Sequence, residues 1–120
     1  MEREELKERV CRAHHELKDR WLMIYTWGNV SMIDRESGEI AIKPSGIPCE
    51  RLMPSDIVVV DMQGNVIEGK YKPSSDTPTH LVLYSAFAGA NCIVHTHSTY
   101  ATAWAQAGKA LPCLGATHAD

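Results

Sequence analysis

Two histidines and an aspartate in this chain have the types and spacing of a metal site. His95 and His97 stand at the end of the run Asn91-Cys92-Ile93-Val94, and Asp76 lies nineteen residues upstream. Side chains two apart on a β-strand share a face, so both imidazoles are predicted to project to the same side. Two imidazoles and a carboxylate suit a divalent transition metal such as zinc. The alternative is that both histidines are ordinary polar residues at a strand end.

Three short loops carry groups that could bind an anion. Ser74 and Ser75 precede a predicted helix, whose first backbone N–H groups are unsatisfied and point at that position. The segment 43–46 offers a lysine, a serine hydroxyl and the accessible backbone of a glycine, and Asn29 adds an amide donor. Each loop also has an ordinary structural explanation, since a serine before a helix is usually a cap and a glycine is usually a turn. Their coincidence with the histidine pair favours a phosphorylated substrate.

The composition is that of one globular domain. The chain has 120 residues, of which 44% are hydrophobic and 22% charged, and its net charge is −3. No cluster of basic residues predicts binding to nucleic acid, and no apolar run is long enough to cross a membrane. The four cysteines are far apart without a CxxC pair, so we expect reduced, mostly buried thiols in a cytoplasmic protein.

The hydrophobic pattern predicts helices and hairpin-paired strands. Residues 2–22 have apolar positions at helical spacing, and His14 and His15 on this helix are expected to be partly exposed. A second helix should start near Ser75 or Asp76 with Pro78 in its first turn, and a short one should span 99–107. Strands are predicted from Thr26, at 40–42, 56–61 and 66–68, and up to His95. This order predicts an α/β fold with three α/β/α layers around a mainly antiparallel sheet.

Five motifs in this chain together resemble the class II aldolase/epimerase family, and within it the epimerase branch. The match runs in order over nearly the whole chain, and its motifs are Thr26-Trp27-Gly28-Asn29-Val30-Ser31, Lys43-Pro44-Ser45-Gly46, Lys72-Pro73-Ser74-Ser75-Asp76-Thr77-Pro78-Thr79-His80, Ile93-Val94-His95-Thr96-His97-Ser98 and Thr117-His118-Ala119-Asp120. Asp76 is the discriminating residue. The sugar-phosphate aldolases of the family carry Glu at the matching place, whereas the epimerases carry Asp.

The resemblance implies specific roles for residues of this chain. One Zn²⁺ per subunit would be held by Asp76, His95 and His97, and Asp120 would act as a general acid/base. A phosphate would be bound by Asn29, Lys43, Ser45, Gly46, Ser74 and Ser75. The implied activity is epimerisation of L-ribulose 5-phosphate to D-xylulose 5-phosphate at C4 by retro-aldol and aldol chemistry, in a homotetramer with a phosphorylated pentulose as its small-molecule partner.

Family members continue beyond the position of Asp120, where they supply a third zinc imidazole and a tyrosine acid/base. Neither residue has a counterpart among these 120 residues, so we expect that residues 1–120 are a single domain of this type cut at its C-terminus. His80 and His118 are not assigned as metal ligands. Two alternatives remain open: a class II sugar-phosphate aldolase or dehydratase, and a non-catalytic domain of the same fold.

Overall fold

The computed structural model describes residues 1–116. It contains three α-helices and five β-strands within that part of the chain, together with two 3-10 turns at Cys49–Arg51 and Pro54–Asp56. In chain order the elements are α1 (Arg3–Asp19), β1 (Asn29–Asp34), β2 (Glu39–Ile42), β3 (Val58–Val60), β4 (Val66–Glu68), α2 (Thr77–Ala86), β5 (Cys92–His95) and α3 (Thr99–Gln106).

The five strands form one antiparallel sheet in the order β4-β3-β2-β1-β5. The pairs β1–β2 and β3–β4 are joined by short turns, whereas β2 and β3 are joined by the longer segment 43–57, which contains the two 3-10 turns. The fourth pair, β1 with β5, brings together segments that are far apart in the chain and sets Asn29 opposite His95. The predicted α/β fold with a mainly antiparallel sheet is confirmed.

Helices pack on both faces of this sheet because successive strand residues point to opposite sides. On one face Leu6 and Val10 of α1 pack with Ala41. On the other face Tyr84 of α2 packs with Ile40 and Val58. The core therefore has two halves, and the α/β/α layering follows from the alternation along β2.

Helix α1 is shorter than predicted, and its buried face includes a histidine. It ends at Asp19, and Trp21 beyond it is 88% exposed with a left-handed φ of 60°. The buried positions are Leu6, Lys7, Val10, Cys11 and His14. The expectation that His14 is partly exposed is wrong, because His14 lies one helical turn after Val10 and faces the sheet.

Two strand boundaries also differ from the prediction. Strand β1 begins at Asn29 rather than Thr26, because Tyr25 and Gly28 have φ values of 53° and 85° that interrupt an extended chain. Strand β3 is confined to Val58–Val60. The residues before it form the Pro54–Asp56 turn, and Asp61 after it accepts N–H groups of the following turn.

Helix α2 begins directly after Asp76 and carries a proline in its first turn, as predicted. Its C-terminus is capped by a side chain from the β1–β2 turn: the Arg35 guanidinium donates to the carbonyl oxygens of Tyr84, Phe87 and Ala90. The carbonyl of Tyr84 lies in the last turn of α2, where carbonyl groups lack partners within the helix, and the carbonyl of Phe87 also accepts the Ala90 N–H. The cap fixes the far end of α2 against β1, while Asp76 begins the near end.

The cysteines match the prediction only in part. All four are free thiols, but only Cys11 and Cys49 are buried, whereas Cys92 and Cys113 are exposed. Cys92 lies opposite Met32 on β5, which is an edge strand of the sheet. Across residues 1–116, none of the helices combines the length and the apolar character that crossing a membrane requires.

Candidate functional site

A polar cavity of about 320 Å³ opens where β1, β5 and the start of α2 meet. All nine residues that were assigned to the metal and phosphate sites and lie within the described residues line it. They are Asn29, Lys43, Ser45, Gly46, Ser74, Ser75, Asp76, His95 and His97. The proposed catalytic residue Asp120 lies outside the described residues, as does His118.

Two of the three anion-binding loops are joined by backbone hydrogen bonds. The N–H of Ser45 donates to the carbonyl of Lys72 at 3.0 Å, and the N–H of Ser74 donates to the carbonyl of Lys43 at 3.0 Å. Pro44 and Pro73 form an isolated antiparallel bridge between them. Segments 43–46 and 72–75, which are distant in sequence, therefore line one wall of the cavity.

Asn29 links this wall to the carboxylate. Its Nδ2 donates to the Ser74 Oγ at 3.0 Å and to the Asp76 Oδ2 at 2.6 Å. The same Asp76 oxygen lies 3.0 Å from the His95 Nδ1. Partial burial acts to raise the pKa of Asp76, but the hydrogen bonds from Asn29 and His95 outweigh it, so the pKa lies below its ordinary value of 3.8. Asp76 is therefore an ionised carboxylate at neutral pH.

His97 lies beyond the end of β5 but faces the same cavity as His95. The two imidazole centroids are 4.8 Å apart, and the ring of Trp27 lies 5.5 Å from that of His97 on its other side. Both histidines therefore face one cavity, as their spacing in the sequence predicts. Val94, between the two strand-end histidines and the core of β5, is 53% exposed and lines a neighbouring cavity rather than this one.

Gly28 allows the backbone before Asn29 to pass close to β5. A Cβ built at Gly28 would lie 2.6 Å from the carbonyl oxygen of His95, and its φ of +85° is unfavourable for other residues. Sequence reasoning missed Gly28 and Trp27 as parts of the cavity. The feature of the sequence that could have identified them is their position directly before Asn29.

Lys43 supplies a buried positive charge at the cavity. Its side chain donates to the carbonyl oxygen of Pro44 at 3.3 Å, and the residue is 2% exposed. Burial lowers its pKa from the ordinary 10.5, because the charged form is poorly solvated. An anion in the cavity would offset that cost.

One buried polar atom in the described part of the chain lacks a partner, and it belongs to Asn29. The Asn29 Oδ1 makes no hydrogen bond, although the residue is 3% exposed. Its Nδ2 donates to Ser74 and to the acceptor-only carboxylate of Asp76, so turning the amide around would lose the bond to Asp76. The orientation of the Asn29 side chain is therefore set by Asp76, and its Oδ1 is enclosed by the protein.

The side chains of Asp76, His95 and His97 have the donor chemistry of a zinc site. Asp76 and His95 are already in contact, and both side chains remain more than one third exposed. Within residues 1–116, however, no three His, Cys, Asp or Glu side chains are grouped as a complete metal site. The donor types fit a divalent metal, and two of the three candidate ligands meet at one point.

A second cavity of about 460 Å³ shares Asp76 and His95 with the first. Its other lining residues come from α2 and the end of β5, and they are Thr79, His80, Leu83, Ile93, Val94 and Thr96. The contacting pair of Asp76 and His95 therefore stands between a polar cavity and a more apolar one.

Comparison with protein families matches this chain over most of its length. The model of the Class II Aldolase and Adducin N-terminal domain covers residues 8–120. The chain belongs to this family. Its five-stranded antiparallel sheet and its motifs are therefore those of a class II aldolase-type domain.

Solved structures agree with this assignment. An L-fuculose 1-phosphate aldolase is 39% identical, with a TM-score of 0.87 over 91% of this chain and 51% of its own. YgbL from Klebsiella pneumoniae, a candidate aldolase/epimerase/decarboxylase, is 28% identical, with a TM-score of 0.79 over 97% of this chain and 52% of its own. The L-fuculose-1-phosphate aldolase from Thermus Thermophilus is 29% identical, with a TM-score of 0.69 over 84% and 50%. The chain spans about half the length of these structures.

Proposed function

We propose that the full-length protein is a zinc-dependent enzyme that cleaves and re-forms a carbon–carbon bond in a phosphorylated sugar. The reaction is epimerisation of L-ribulose 5-phosphate to D-xylulose 5-phosphate at C4. The observation that supports this most strongly is the single cavity in which the anion-binding loops meet Asp76, His95 and His97.

The phosphate would lie against the wall formed by segments 43–46 and 72–75. Ser75 is exposed directly before α2 and lines the cavity, so its hydroxyl is available to an anion. The ammonium group of Lys43 lies at the same cavity with one carbonyl partner. These donors keep the phosphorylated end of a sugar in place while the rest of the molecule reacts.

Asp76, His95 and His97 would hold the metal ion. When bound, such an ion supplies Lewis acidity toward the negative charge that develops on substrate oxygens. Asn29 holds the Asp76 carboxylate on one side, so that carboxylate is oriented before any ligand arrives.

The reaction requires a base that takes the proton of the C4 hydroxyl. The C3–C4 bond then breaks, its electron pair remains on C3 as part of an enediolate, and C4 becomes the aldehyde carbon of glycolaldehyde phosphate. Rotation of this aldehyde, with its phosphate still anchored, presents its other face, and re-formation of the bond with return of the proton inverts C4. Holding both fragments in place retains the advantage of proximity. Asp120 is the proposed acid/base on one face.

A second candidate is aldol cleavage with release of the aldehyde. It is favoured by the 39% identity to an L-fuculose 1-phosphate aldolase. Against it stands Asp76, because the resemblance associates Asp at this place with epimerases and Glu with aldolases.

We place the enzyme in the cytoplasm as a homotetramer, in keeping with the same resemblance.

The experiment is a product analysis of the zinc-loaded full-length protein with L-ribulose 5-phosphate and, separately, with L-fuculose 1-phosphate. We expect D-xylulose 5-phosphate from the first and little cleavage of the second, with activity lost in His95→Ala and kept in the surface control His15→Ala. Faster cleavage of L-fuculose 1-phosphate would establish the aldolase instead. No reaction with either, in a protein that binds no metal, would favour the non-catalytic domain.

A further inference from the structure

Three buried polar groups form a hydrogen-bonded chain beneath the candidate site. The Ser31 Oγ lies 2.6 Å from the His80 Nδ1 and 2.7 Å from the Tyr84 hydroxyl. Each of the three residues is at most 1% exposed. They join β1 to two successive turns of α2, inside a core half that is otherwise built from Ile33, Ile40 and valines of β3.

Ser31 can serve both of its partners because a hydroxyl group can donate and accept at once. Tyr84 stays protonated, since burial raises its pKa to about 12, so its hydroxyl keeps a proton for the hydrogen bond with Ser31. The three polar groups therefore satisfy one another within the core.

Each end of this chain lies next to a residue of the candidate site. Ser31 is two residues after Asn29 on the same face of β1. His80 is one helical turn after Asp76, and its backbone N–H donates to the Asp76 carbonyl at 3.1 Å. His80 also lines the second cavity together with Asp76 and His95. Any shift of α2 along β1 would therefore change the 2.6 Å contact between Asn29 and Asp76.

We propose that Tyr84, Ser31 and His80 are positioning residues that hold α2 on β1 in the register at which Asp76 meets Asn29 and His95. Apolar side chains of similar size would fill this space with comparable stability, because a buried hydrogen bond contributes little net free energy. Hydrogen bonds add direction, which apolar contacts lack. This inference rests on the proposed metal site, since its consequence is the placement of the carboxylate ligand.

The test uses cobalt(II) as a probe of the metal site in the full-length protein. Tyr84→Phe removes the hydroxyl that begins the chain, and Ser31→Ala removes its centre. We expect either change to weaken cobalt binding about tenfold and to shift the visible absorption spectrum, as for other residues that orient metal ligands. The double variant should bind cobalt no more weakly than Ser31→Ala does, because Ser31→Ala alone already interrupts the hydrogen bonds between Tyr84 and His80.

The matched control is Ile33→Val, which removes a methylene group from the same strand face and core half without touching a hydrogen bond. It should lower thermal stability while leaving the cobalt affinity and spectrum unchanged. Equal effects of Ile33→Val and Tyr84→Phe on cobalt binding would overturn the positioning role. Unchanged cobalt affinity and an unchanged spectrum in both Tyr84→Phe and Ser31→Ala would overturn it as well. A full-length protein that binds no cobalt would overturn the metal site itself, and the positioning role with it.

Discussion

At the scale of single residues, the candidate site depends on one carboxylate with two fixed partners. Asp76 receives a hydrogen bond from Asn29 at 2.6 Å and lies 3.0 Å from the His95 imidazole. Motif spacing in the sequence placed these residues at one site. It could not give the orientation of the Asn29 amide, which leaves Oδ1 without a partner, because that depends on the tertiary contact of β1 with α2.

Asp76→Glu tests how tightly the carboxylate is placed. The extra methylene should move the carboxylate away from the Asn29 amide and the His95 ring, so we expect weaker metal binding and a slower epimerisation rate. Glycolaldehyde phosphate should escape as free aldehyde. Metal content and aldehyde release by the full-length protein measure both effects, with the surface change Asp19→Glu as control. An unchanged epimerisation rate would contradict a ligand role for Asp76.

Ser75→Ala tests the phosphate wall. Ser75 is exposed, and in the described structure its hydroxyl makes no hydrogen bond, so its removal leaves the fold intact. Loss of one hydrogen bond to a charged phosphate should raise KM roughly ten- to hundredfold, since such bonds contribute roughly 1.5–3 kcal/mol. Ser85→Ala, whose hydroxyl bonds only to the Leu81 carbonyl on α2, is the matched control. An equal loss with a non-phosphorylated sugar would show that Ser75 does not contact the phosphate.

At the scale of elements, hydrophobic periodicity located α1, α2 and α3 but missed the burial of His14 on α1. The buried positions Leu6, Val10 and His14 follow a four-residue spacing, and the histidine was discounted because imidazoles are usually at the surface. Its burial is compensated by two hydrogen bonds. The His14 Nδ1 donates to the Val10 carbonyl at 2.7 Å, and its Nε2 accepts the Val30 N–H at 2.9 Å. His14 thereby ties α1 to the strand that carries Asn29.

This tie predicts a specific loss of stability on acidification. Burial lowers the pKa of His14 from 6.5 to about 4, so the unfolded chain takes up a proton before the folded one does. Stability should therefore be fully present above pH 6.5 and fall by about 3 kcal/mol as the pH drops to 4. Denaturant unfolding across this range measures it. His14→Gln should flatten the profile between pH 4 and 6.5, whereas His15→Gln at the neighbouring exposed position should retain it.

At the scale of the whole molecule, charges at the start of α1 join it to two strands of the sheet. Arg3 donates to Glu39 of β2 and to Glu68 of β4, and Lys7 donates to Glu68 and Glu4. Composition gave the number of charges but not these pairings, which join residues up to 65 positions apart. The mainly antiparallel character of the sheet was predictable, because short turns join β1 to β2 and β3 to β4.

The carboxylates of this network predict a second acid-sensitive range. Hydrogen bonds from Arg3 hold the pKa of Glu39 below 4.5, and those from Lys7 and Arg3 do the same for Glu68. Their contribution is present above pH 4.5 and is lost as the pH falls through the lowered pKa values. Glu68→Gln should lower the melting temperature at neutral pH, and less so at high salt. Glu8→Gln, at an exposed position of α1, should not.

The central claim is that Asp76, His95 and His97 bind one divalent ion, and elemental analysis of the full-length protein after gentle purification tests it most directly. We predict close to one zinc per chain in the unmodified protein and a near-complete loss in His97→Ala, with the fold retained by circular dichroism. An unmodified protein without a divalent metal, or a His97→Ala variant with undiminished metal content, would contradict it.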